Sequence, residues 1–67
     1  MFVLQFHVRP RGRDPRWVVG LANSFYGAYL DKEQALLDAV DAARDAMQRG
    51  AEAQVWLRES SVASRIF

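Results

Sequence analysis

Residues 31–50 read DKEQALLDAVDAARDAMQRG, and they decide the fold because their apolar residues recur at helical spacing. Leu36, Val40, Ala43 and Met47 stand at i, i+4, i+7 and i+11, flanked by Leu37, Ala39 and Ala46. A helix built here presents one apolar stripe. Asp31 marks its start: an aspartate accepts from the free amides of the first turn, and Gln34, three residues on, completes a capping box. Gly50 suits the left-handed position after the last turn, and Arg49 suits the negative end of the helix dipole.

On either side of this helix the apolar period falls to two. Phe2, Leu4, Phe6 and Val8 alternate with Val3, Gln5, His7 and Arg9, which predicts a half-buried strand. Arg9 to Pro15 contains two prolines, a glycine and an aspartate, which end the ladder in an exposed connection. Arg16 to Leu21 resumes the alternation, with Trp17, Val19 and Leu21 on one side. Ala22 to Ser24 predicts a turn, and the aromatic stretch Phe25 to Leu30 a third strand in which Gly27 marks a bulge or a close backbone approach. After the helix, Ala53 to Arg58 predicts a fourth strand with Val55 and Leu57 opposite Trp56. Glu59 to Ser61 turns, and Val62 to Phe67 forms a short fifth.

Strands flanking one amphipathic helix predict an α+β two-layer sandwich. A single helix packs on a four- or five-stranded, mainly antiparallel sheet in the order β-β-(β)-α-β-β. One helix covers one sheet face, so some of Val3, Val18, Tyr26, Ala28 and Trp56 must point away from it.

The order of FHVRP (6–10), RWVV (16–19), YLDKEQAL (29–36) and GAEAQVWL (50–57) resembles a family of small bacterial proteins defined only as a conserved domain of unknown function. In that family a His-Val-x-Pro strand is followed by a Trp-Val strand, a Phe-x-Thr-Lys-Glu-Glu-Ala-like helix start and a Gly-Ala-Glu strand entry. His7, Val8 and Pro10 match the first motif, Trp17 and Val19 the second, and Lys32, Glu33 and Ala35 the third. Asp31 stands where the family has threonine, the loop from Arg11 to Arg16 is longer and richer in arginine, and the last hairpin lacks the family's glycine. The resemblance implies a ββ(β)αββ domain and supplies no activity, cofactor or catalytic residue.

At 67 residues the chain is a single domain, 1–67, near the lower size at which a core sustains itself. Hydrophobic residues make up 51%, which excludes disorder and gives the chain a motive to bury more surface in a partner. The absence of cysteine removes disulfides and thiolate metal sites. No apolar run is long enough to span a membrane, and the first residues carry their charge after the apolar run, the reverse of a secretory signal. A cytoplasmic protein without a membrane partner is expected.

The formal net charge is only +1, but it is unevenly placed. Residues 1–30 hold four arginines against Asp14, a local net of +3, and residues 31–67 a local net of −2. Arg9, Arg11, Arg13 and Arg16 surround Pro10, Gly12 and Pro15, with Trp17 next in line. Arginines that take phosphates beside an aromatic that stacks on bases are a means of holding nucleic acid. The alternation nevertheless points Trp17 toward the core with Val19 and Leu21.

His7 is the sole histidine and lacks a carboxylate at a guaranteed spacing, so it is expected to be a solvent-facing strand residue and not a base. Asp38, Asp41 and Asp45 share one helix stripe, where a solvated face flanked by Arg44 and Arg49 is expected in preference to a cation site. No phosphate loop or nucleophile motif occurs. The expectation is a non-catalytic module with no cofactor, no metal and no small-molecule substrate, which pairs with itself as a homodimer or higher even oligomer. Val3, Val18, Trp56, Val62, Ile66 and Phe67 are the expected interface. The alternative is a nucleic-acid-binding protein using Arg9, Arg11, Arg13, Arg16 and Trp17.

Overall fold

Val8, Val19 and Val55 are the largest side chains removed completely from solvent, and they come from three neighbouring strands. The computed structural model describes residues 3–21 and 24–67, so Phe2 and the Ala22 and Asn23 part of the expected turn lie outside the described residues. The elements run β1 (Val3–Pro10), β2 (Trp17–Leu21), β3 (Ser24–Tyr29), α1 (Lys32–Gln48), β4 (Glu52–Glu59) and β5 (Val62–Arg65). They form one five-stranded sheet in the order β3-β2-β1-β4-β5 with the helix packed on it, an α+β two-layer arrangement. Three pairings are antiparallel; β1 and β4 are parallel, because the helix carries the chain over the sheet between β3 and β4.

Register sorts the side chains. Phe6 stands opposite Leu21 and Val55, and Val8 opposite Val19 and Leu57. Opposed residues share a face, so Leu4, Phe6, Val8, Trp17, Val19, Ala53, Val55 and Leu57 line the helix side.

The helix meets them with Ala35, Ala39 and Ala43, all buried. This corrects the expected stripe. Ala43 belongs to the seam, Leu36 and Val40 flank it half-buried, and Met47 is 49% and Leu37 59% exposed. The phenylalanine and valines of the sheet already fill the layer, so only methyl side chains fit where the helix lies nearest. Asp31 caps the helix, its Oδ1 accepting from the Gln34 amide at 2.9 Å, a bond whose loss costs about 0.5–2 kcal/mol. At the other end Gly50 has φ +94°. The Gly50 amide donates to the Met47 carbonyl and the Ala51 amide to the Ala46 carbonyl, both at 3.0 Å, which closes a Schellman turn.

A bulge between Val19 and Gly20 shifts the β2–β3 register and leaves Tyr26 as the extra residue. Its ring meets Phe6 edge-on at 5.5 Å between centroids, so Tyr26 turns to the core and not to the open face. Leu30 falls just past β3 and is 74% exposed. Ile66 and Phe67 lie beyond β5, and both their amides donate to the Val55 carbonyl.

Candidate nucleic-acid interface

The residues that alternate with the core set cover the other side of the sheet. Val3, Gln5, His7 and Arg9 of β1 lie beside Gln54, Trp56 and Arg58 of β4, with Arg65 of β5 opposite Trp56. Toward β3, Val18 stands between Arg9 and Ala28, and Gly20 opposite Phe25. This face carries three arginines, and Glu52, at one end opposite Val3, is its acidic residue among those described. Glu33, Asp38, Asp41 and Asp45 stand on the helix, on the far side of the core. The fold sets a basic front against an acidic back, and two of the three front arginines, Arg58 and Arg65, come from the half of the chain with net negative charge.

Side-chain bonds order the front. Trp56 is half-buried, and its Nε1–H donates to Gln54 Oε1 at 2.9 Å, while Gln5 Nε2 donates to the same oxygen at 3.2 Å. Arg58 Nε donates to His7 Nδ1 at 3.2 Å, and Arg65 Nε to the Phe67 carbonyl at 3.0 Å. His7 is held below its ordinary pKa of 6.5, first by burial and then by the positive charges of Arg58 and Arg9. It is therefore a neutral imidazole at pH 7 whose Nδ1 is already accepting, and among the described residues no carboxylate is bonded to it.

Between β1, β2 and β3 the front sinks into an open concavity of about 780 Å³. The dip follows from side-chain height: Gly20 has none, Val18 lies low and buried, and Arg9, Arg11 and Phe25 rise around them. A Cβ on Gly20 would sit 3.6 Å from an Arg9 guanidinium nitrogen and 3.5 Å from the Ser24 carbonyl, both ordinary contact distances, so the Arg9 side chain leans in over Gly20 from the rim.

The arginines of the long loop do not stay together. Arg9 and Arg11 border the concavity, Arg13 is exposed, and Arg16 pairs with Asp14 at 3.4 Å in full solvent, an interaction of small weight. Trp17 faces the helix side, half-buried, with Lys32 Nζ 5.9 Å from its ring centre and Lys32 bonded at 2.8 Å to Glu59. Besides Phe25, the aromatic that shares the front with Arg9 is Trp56, on a strand far along the chain, joined to it by the parallel β1–β4 pairing.

The residues expected at a self-interface are also divided. Val3 and Trp56 lie on the front, and Val18 is already buried by its own chain, 8% exposed. Val62 stands opposite Glu59 on the helix side, 61% exposed. Ile66 is exposed, whereas Phe67 packs on the core with the Arg44 guanidinium 5.8 Å from its ring centre. With Arg44 so placed, it is Asp45 among the helix acids that has a cation, pairing with Arg49 at 3.1 Å. Among the described residues no group of three or more acidic, histidine or cysteine side chains is arranged to hold a metal, and no helix is long and apolar enough to cross a membrane.

No family model matches the chain, and neither a curated protein nor a solved structure is similar to it at a significant level.

Proposed function

We propose that this protein is a non-catalytic binding module that takes single-stranded nucleic acid on the open face of its sheet. The observation that carries this is the shared surface of Arg9, Arg58 and Arg65 with Trp56, set opposite an acidic helix. A single strand needs cations for its phosphates and an aromatic for its exposed bases, and each stacked base contributes about 1–3 kcal/mol. Duplex recognition by helix insertion is disfavoured by charge, since Glu33, Asp38, Asp41 and Asp45 would be driven into a groove walled by phosphates. A cytoplasmic setting, which the absence of cysteine supports, goes with such a partner.

Amide shifts of the labelled protein, followed while a single-stranded oligonucleotide is added, test the assignment. Movement at Gln5, His7 and Arg58 and at the Trp56 indole N–H supports it. Shifts confined to the helix, or none at low salt, would refute it.

Self-association is a second reading, and one observation favours it: the outer edge of β3, SFYGAY, carries neither charge nor proline, and exposes Phe25 (71%) and Tyr26 (46%). An unguarded edge is a template for another strand. Two-fold pairing along β3 would set two open faces side by side. Sedimentation of the wild type and of Tyr26→Lys decides: a mass that grows with concentration and is lost in the variant is expected from edge pairing, and a monomer throughout excludes it.

A further inference from the structure

We infer that the concavity walled by Arg9, Arg11 and Phe25 is a subsite for a nucleotide bearing a terminal phosphate, a nucleoside monophosphate or the phosphorylated end of a strand. The inference rests on the nucleic-acid assignment of this face and names the part of the ligand that the concavity would take. Its volume of about 780 Å³ lies in the range of small-ligand sites. Its lining holds two cations and no acid: besides Arg9 and Arg11 the lining residues are neutral. Neither guanidinium has an ion-pair partner among the described residues, in contrast to Arg16 and Arg49.

The count of charges selects the ligand. An internal phosphodiester carries one negative charge, whereas a terminal phosphate monoester approaches two at neutral pH. Two guanidinium-bearing residues on one concavity match the second, and each can take oxygens in a forked, two-bond geometry. On the opposite wall Phe25 offers a ring that is 71% exposed, a surface on which a base can stack. The floor of Val18 and Gly20 is apolar and low, and because the Arg9 head leans over Gly20 the sugar would rest beside that guanidinium. Phosphate at the arginines and base at Phe25 would give a ligand bound at both ends.

The glycine provides the test. Gly20 has no positive φ, and an added Cβ meets its neighbours only at ordinary contact distance, so Gly20→Ala leaves the Arg9 head in place, whereas the two further methyl groups of Gly20→Val raise the floor beneath it while the fold persists. Adenosine monophosphate, adenosine and inorganic phosphate are titrated separately into the full-length labelled protein. A short oligonucleotide is then added with and without a 5′-phosphate. The inference requires the monophosphate to bind at least tenfold more tightly than either fragment, with shifts at Val18, Gly20 and Ser24. It also requires Arg9→Gln and Gly20→Val to weaken the monophosphate by a similar factor, with the amide spectrum confirming a folded variant.

If the oligonucleotide binds equally well with and without its phosphate and the monophosphate is no better than adenosine, the subsite falls and the open-face assignment stands. If the monophosphate binds as stated but neither oligonucleotide binds, the subsite stands and the strand-binding assignment falls. Should Gly20→Val leave monophosphate affinity unchanged, the concavity is not where it binds and the inference is overturned.

Discussion

The guanidinium of Arg58 donates through Nε to Nδ1 of His7, 3.2 Å away across the parallel pairing of β4 with β1. This bond fixes the tautomer with the proton on Nε2, and it forms only with the neutral ring.

His7 is therefore expected to titrate below 6.5, driven down by burial and then by Arg58 and Arg9. The unfolded chain binds the proton more readily, so the stability contributed by neutral His7 is fully present above pH 6.5 and is lost as pH falls through the depressed value. Proton NMR of the single histidine measures it. A bound polyanion should raise the value, because protonation then adds a wanted charge to the front; a pKa at or above 6.5 in the free protein would contradict the His7–Arg58 bond.

Gly27 lies beneath the Tyr29 side chain, where an added Cβ would stand 2.7 Å from the hydroxyl and 3.1 Å from two ring atoms. Gly27→Ala should push the ring outward and cost about 1–3 kcal/mol. Tyr29 is pushed up to about 12, first by burial and then by the neighbouring Asp38 carboxylate. Its share of stability is present below the ordinary value near 10 and is lost as pH rises through about 12. Alkaline spectrophotometric titration should show this late ionisation in the wild type and an earlier one in Gly27→Ala.

Along the helix, Ala39 is sealed against the sheet while Leu37 is 59% exposed. Ala39→Leu should overpack the layer and lose about 1–3 kcal/mol, whereas Leu37→Lys should change stability by no more than about 0.5 kcal/mol. Urea melts of the two variants compare them, and the reverse order would place the seam on the other helix stripe.

Ser60 and Ser61 join β4 to β5 with φ of 49° and 65°, the positive pair of a two-residue hairpin turn that favours asparagine and glycine. Ser61→Gly removes a left-handed side chain and should raise the melting point by an amount equivalent to about 0.5–1 kcal/mol. A lowered melting point would mean that the turn is built differently.

Period and punctuation made the strands, the helix and both its ends legible, because Asp31, Gly50 and the alternation around Phe6 and Val19 act locally. The rotation of the helix was not, since leucine and alanine share the apolar stripe and only the depth already filled by Phe6, Val8 and Val55 selects alanine for the seam. Nor was the composition of the front. Arg9 stood out in an arginine-rich segment, but its companions Trp56, Arg58 and Arg65 reach it through sheet pairings, and nothing in a linear reading brings β4 beside β1. Trp17, next to the arginines in sequence, was separated from Arg9 by the same alternation that defines its strand.

The affinity of a single-stranded oligonucleotide, followed over a series of salt concentrations, tests the open face most directly. Three phosphate contacts, at Arg9, Arg58 and Arg65, predict a slope of log affinity on log salt of about −2. Arg58→Gln combined with Arg65→Gln should cut that slope to about a third, and removing one helix acid with Asp41→Asn should leave it unchanged. No binding at low salt, or a slope that the two arginine substitutions do not alter, would contradict the account.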